Sequence, residues 1–169
     1  HLVYGLADVL EEAGYAVSLH SSPGGDLSAL RLVLFTGPNG QDVPLYLQLE
    51  PAGRTRLNPN TTHLQLVAAF PFHILREQTP DTVRFLLMLN NFAELAGFSI
   101  EPRERLVTFR HTLVSGTNVD SELVVESVRV VDLLLRSFAP LIEDVALGRR
   151  SLEETYHRAQ QQKTARPPP

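Results

Sequence analysis

The stretch from Thr79 to Leu113 constrains the fold most: a strongly apolar helix runs straight into a two-stranded hairpin. Apolar residues at 85, 86, 89, 92, 93 and 96 keep helical spacing, with Leu87, Met88 and Leu95 on other sides. A helix apolar on several faces must be covered on more than one side. Thr79 is placed to cap it, and Pro80 at the first helical position has no amide hydrogen to waste. Gly97 is expected to supply the left-handed residue that ends it. Phe98 to Glu101 and Leu106 to Leu113 then read as a short and a longer strand, turned at Pro102 to Arg105. On the longer strand Val107, Phe109, His111 and Leu113 share one face, and Thr108, Arg110 and Thr112 the other.

Ahead of this stretch lie a helix and four strands. Residues 2 to 13 carry a stripe of Leu2, Val3, Leu6, Leu10 and Ala13, stopped by Gly14. Tyr15, Val17 and Leu19 alternate with Ala16, Ser18 and His20. The Ser21 to Asp26 segment is a turn by its Pro-Gly-Gly content. Leu30, Leu32 and Leu34 alternate with Arg31, Val33 and Phe35, and Gly37 to Asp42 turns again. Val43, Leu45, Leu47 and Leu49 alternate with Pro44, Tyr46, Gln48 and Glu50. After a loop from Pro51 to Asn60, Leu64, Leu66, Ala68 and Phe70 alternate with His63, Gln65, Val67 and Ala69. Strands joined by short turns make an antiparallel meander whose leucine face must be covered by helices.

A long helix opens between Asn118 and Asp120. Its apolar residues, from Val124 to Val145, form a wide stripe suited to lying on a sheet rather than a coiled-coil seam. Pro140 is expected to kink or restart it, and Gly148 to stop it. Ser151 with Glu154 makes a capping box for a final helix to about Gln162. Lys163 to Pro169 reads as a polar, disordered, Pro-rich tail. Glu11 to Val17 echoes Glu94 to Ile100, and two helices stopped by the same glycine device account for this.

Composition narrows the function. In 169 residues without a long linker, one domain over 1–162 is the expectation. The 43% hydrophobic content suits an ordinary core. The absence of cysteine removes disulfides and thiolate metal sites and suits a reducing, cytoplasmic compartment. A net charge of −4 argues against general nucleic-acid binding. The longest apolar runs fall far short of the roughly 20 residues a membrane span needs.

No motif for catalysis is present, and no cofactor or metal is expected. Gly24-Gly25 and Gly37-Pro38-Asn39-Gly40 sit in turns, not ahead of helices, so they cradle no phosphate. Ser115-Gly116-Thr117 beside His111 reads as a turn. His63 and His73 have no near ligand partner, and Glu154 with His157 is half of a di-iron pattern with no second half. His111 reads as a partly buried, hydrogen-bonded imidazole. The alternative to a binding protein is a small-ligand site or enzyme using Arg54, Arg56 and His111. Of the polar pair Asn90 and Asn91, Asn91 is the expected structural tie from the helix to a neighbouring strand or loop.

The expected architecture is α+β: a curved antiparallel sheet with helices on one face, in the order α-β-β-β-β-α-β-β-α. That order resembles the YbjN-type domains of the type III secretion chaperone-like superfamily. The residues that carry the likeness are Leu89-Asn90-Asn91, Gly97-Phe98, the Leu106 to Leu113 strand, and Val119-x-x-Glu122-Leu123 opening a long helix. The resemblance implies a small, non-enzymatic bacterial protein that forms homodimers and, as in the secretion chaperones, binds extended client segments. Phe85, Leu89 and Phe92 are the expected dimer interface, because the central helix has more apolar circumference than one sheet covers. Val33, Phe35, Tyr46 and Val67 alternate out of step with the leucines and are the expected partner-binding patch, unless the helix opening at Ser151 covers them.

Overall fold

Successive side chains of a strand point to opposite faces, so the leucines of neighbouring strands are buried together only in one register. A computed structural model, which describes residues 2–21, 28–37, 39–50, 61–93, 95–116 and 118–164, has that register. Its elements are α1 (Leu2–Glu12), β1 (Val17–Ser21), β2 (Ser28–Thr36), β3 (Asp42–Glu50), β4 (Thr62–His73), a 3₁₀ turn (Arg76–Gln78), α2 (Thr79–Phe92), β5 (Phe98–Glu101), β6 (Leu106–Ser115), α3 (Ser121–Ala146) and α4 (Leu152–Thr164). The strands form a six-stranded antiparallel sheet in the order β1-β2-β3-β4-β6-β5. The α+β class and the element order expected from the sequence are those observed.

The chain divides into two compact units: residues 1–69 with 109–130, and residues 70–108 with 131–169. In the first, Leu30 stands opposite Leu47, Leu32 opposite Leu45, Leu47 opposite Leu66, and Leu49 opposite Leu64. All of these but the half-buried Leu49 are buried. From α1, which packs on β1 and β2, Leu6 and Leu10 join the core. Asp120 caps α3, its Oδ1 accepting from the amides of Glu122 at 3.0 Å and Leu123 at 3.3 Å. Val124, Val125 and Val128 are the buried side of that first stretch of α3.

One irregularity changes a face. Val33 pairs with Pro44, but Phe35, not Leu34, pairs with Val43, so a bulge lies between Val33 and Phe35. Residues directly opposite on antiparallel strands share a face. Phe35 therefore sits on the side of the buried Val43, not with Val33 as strict alternation implies.

In the second unit, α2 packs on β5 and α4. The side chain that ties α2 to β5 is Asn90, not Asn91. Asn90 Oδ1 accepts from the amides of Gly97 at 3.1 Å and Phe98 at 2.9 Å, and its Nδ2 donates to the Phe98 carbonyl at 2.9 Å. Asn91, one residue and 100° further round the helix, is exposed. The helix accordingly stops at Phe92, with Ala93 extended (φ −71°, ψ 149°), rather than running on to Gly97. Gly97, at φ 153°, belongs to the approach to β5. At the other end Thr79 is already helical, and its hydroxyl reaches back to the Leu75 carbonyl at 3.4 Å instead of capping.

The proline in α3 does not restart the helix, which is continuous from Ser121 to Ala146. Pro140 cannot donate to the Arg136 carbonyl one turn back. Both residues are exposed, so water reaches that carbonyl and the cost stays tolerable. At α4 the capping box forms as expected: Glu154 N donates to Ser151 Oγ at 3.2 Å, and Ser151 N to Glu154 Oε2 at 3.2 Å. The helix carries on to Thr164, two residues into the stretch expected to be tail, and residues 165–169 lie outside those described.

Asn90 and its neighbour make a matched pair for testing this. Asn90→Ala strands two backbone donors and one acceptor in a partly buried turn, and should cost about 2 kcal/mol in urea unfolding. Asn91→Ala should stay within about 0.5 kcal/mol of the parent. Equal effects would mean that the tie does not hold the helix end.

Candidate functional site

The face of the sheet opposite the leucines begins as a row across four strands: Ser18 opposite Arg31, Arg31 opposite Tyr46, and Tyr46 opposite Val67. Val33 and Pro44 make the adjoining row. Val33, Tyr46 and Val67 are all half-buried, so three of the four residues expected in a partner patch share an incompletely covered face. Phe35 leaves the group because of the bulge. His20 stands edge-on to Tyr46, with ring centroids 5.5 Å apart and planes at 63°, which fixes the tyrosine ring from one side. The helix that opens at Ser151 packs on α2, where Tyr156 meets Phe92 edge-on at 6.2 Å.

The expected dimer contacts fare differently. Phe85 and Leu89 are 0% exposed, so they belong to the core of their own subunit and offer nothing to a second copy. Phe92 is half-buried between Phe138, 5.9 Å away, and Tyr156. The apolar surplus on α2 is real but lies elsewhere: Val83 and Leu87, one turn apart, are 40% and 59% exposed. Helical spacing counts apolar residues; it does not say which of several apolar faces the rest of the chain covers.

Of the residues of the alternative reading, His111 alone lies among those described. Arg54 and Arg56 lie outside the described residues. His111 is half-buried on β6, and burial lowers its pKa by penalising the charged form. Among the described residues its imidazole has no hydrogen-bond partner, contrary to expectation. Ser115, nearby in sequence, is engaged in the turn, its Oγ donating to the Asn118 carbonyl at 2.6 Å. His73 Nδ1 lies 2.7 Å from the Glu104 carbonyl oxygen, and His63 Nε2 lies 3.2 Å from Thr61 Oγ1, each a local tie. The Glu154 carboxylate is spent on its cap: its pKa is lowered by the backbone and then the side-chain hydrogen bonds from Ser151. Among the described residues no three His, Asp or Glu side chains gather as a metal site. Among the described residues no helix is long and apolar enough to cross a membrane.

The lowered pKa of His111 has a definite sign in stability. Below about pH 6.5 the unfolded chain protonates this residue before the folded one does, so acidification favours unfolding. Stability from this site is complete above that pH and is lost as pH falls. His111→Leu removes the proton uptake and should give a shallower fall of melting temperature between about pH 7.5 and pH 5.5. Parallel curves for the two proteins would show that burial of His111 has no linkage to folding.

No family model matches the chain, and no curated protein matches it.

Proposed function

We propose that this protein is a non-enzymatic, chaperone-like binding module of the bacterial cytoplasm, homodimeric, that holds extended segments of other proteins against the outer face of its sheet. The observation that carries the reading is the incompletely covered row around Tyr46, with Val67 beside it and Val33 in the next row, on the face that the leucine core does not use. Apolar side chains left contiguous on one sheet face are what a partner's side chains dock against. The element order supports it through its likeness to YbjN-type domains. The second copy is assigned to the Val83 and Leu87 stripe of α2, two apolar residues that a symmetric contact between two such helices covers at once.

Binding is tested with a reduced, alkylated model polypeptide carrying a fluorophore, which has no fold of its own. Anisotropy should report its capture. Tyr46→Ser with Val67→Ser should weaken capture about tenfold while shifting the melting temperature by only a few degrees, since neither residue is in the core. Absence of capture by the parent protein, or equal capture by the double variant, removes the assignment.

Self-association is tested by light scattering, which should give twice the 18.8 kDa of one chain. Val83→Ser with Leu87→Ser should halve that mass and leave the fold intact. Leu89→Asp, in contrast, buries a carboxylate without a partner at a cost of several kcal/mol, so it should unfold the subunit and not merely split a dimer. A parent protein that stays monomeric at high concentration rules the dimer out.

A further inference from the structure

The outer face of the first unit's sheet is sorted by charge. β2 contributes Arg31 and β1 His20, by alternation from the buried Phe109 the strand β6 contributes Arg110, and on β4 His63 stands opposite Glu50 at the edge of this set. Between Asp42 and Glu50, which mark the two ends of β3, the described residues of this face include no carboxylate. Asp42 is occupied, its Oδ1 accepting from the Thr36 hydroxyl at 2.8 Å. Among the described residues neither Arg31 nor Arg110 has an ion-pair partner. This occurs in a chain with 19 acidic and 15 basic residues, which carries the exposed Asp8, Glu11 and Glu12 on α1.

Strand order gives the pattern a direction. Across β2, β3 and β4 one row reads cation, aromatic, aliphatic (Arg31, Tyr46, Val67), and the next strand, β6, carries the exposed cation Arg110 on the same face. The geometry points to an extended, acidic polypeptide segment as the partner of this face, with apolar side chains set between its carboxylates; this rests on the binding-module reading above. Three strand spacings come to about 14 Å, the reach of four or five extended residues. A carboxylate at each end of such a segment meets a guanidinium, which can hold it through two parallel hydrogen bonds. The apolar residues between them lie on Tyr46 and Val67. A single-stranded nucleic acid is the lesser fit, because a chain of net charge −4 repels a polyanion and the face offers one tyrosine ring where base stacking uses several.

The test uses labelled synthetic peptides in which Glu alternates with Val and Tyr, and the same sequence with every Glu changed to Gln or to Lys. On the parent protein the Glu peptide should bind about tenfold tighter than the Gln peptide and the Lys peptide weakest, with the preference collapsing at about 0.5 M salt. Arg31→Gln with Arg110→Gln should abolish the preference while retaining the affinity for the Gln peptide, a result that mere loss of structure does not give. If those variants fail to fold, the three peptides on the parent protein still decide. Equal binding of the Glu and Gln peptides overturns the acidic-segment inference and leaves the binding module standing. Failure of all three peptides removes the module and this inference with it. Binding of oligothymidylate in place of the Glu peptide overturns the inference in favour of nucleic acid.

Discussion

The alternation of leucines through β2, β3 and β4 is the constraint from which the first unit follows. Because the side-chain period of a strand is two, sliding any one of these strands by a single residue turns its leucines to solvent. Each fully buried leucine is worth about 2 kcal/mol relative to exposure, so a slip of β3 past its neighbours exposes Leu45 and Leu47 together and costs about 4 kcal/mol, a large share of the roughly 5–15 kcal/mol that holds a domain folded. The register in turn decides the other face without any selection for binding. Once Leu32 and Leu45 point inward, Arg31 and Tyr46 must stand side by side on the outside. The bulge at Leu34 is the one place where this coupling is relaxed, and it takes Phe35 to the inner side.

The second unit depends on a polar tie instead. A carboxamide has one acceptor and one donor group, and Asn90 uses both on the backbone of Gly97 and Phe98. The side chain thereby links the end of the helix to the start of the strand. It also explains why an apolar helix capable of four more residues stops at Phe92: the amides that Asn90 binds must turn back toward it, which continued helix forbids. Aromatic packing completes the corner, with Phe70 stacked on Phe98 at 6.4 Å.

Much of this was readable from residue order. Period-two and period-3.6 patterns placed the α-helices and strands of the described residues, and the glycine at 14 and the Ser151 and Glu154 box fixed two helix ends. What was not readable has common physical causes. Choosing between Asn90 and Asn91 needs the 100° of helix rotation that separates them, relative to a strand whose position no local pattern encodes. Phe85 and Leu89 looked like surplus because their cover comes from residues distant in the chain. Phe35 was misplaced because a bulge adds one residue without leaving a mark in the alternation: a leucine and a phenylalanine in succession read equally well on either side. Of the outer-face patch, Val33, Tyr46 and Val67 were legible; Arg31 and Arg110 were passed over because a lone arginine in a strand carries no signal until its cross-strand neighbours are known.

Charge sorting on the outer face bears on how such a surface would select among segments. The net charge of −4 sets a weak repulsion for any acidic chain at long range, while the attraction of Arg31 and Arg110 operates within roughly a Debye length, about 8 Å at physiological salt. Encounter is therefore not accelerated, and discrimination falls on the lifetime of the bound state. That lifetime depends on whether apolar contact with Tyr46 and Val67 and pairing at the guanidinium groups are made together. A basic segment gains the first and is repelled at the second; a purely polar acidic segment gains the second and leaves the apolar centre without contact. A face that carries an aromatic and an aliphatic side chain with two cations would thus be selective by requiring both, although each interaction alone is weak.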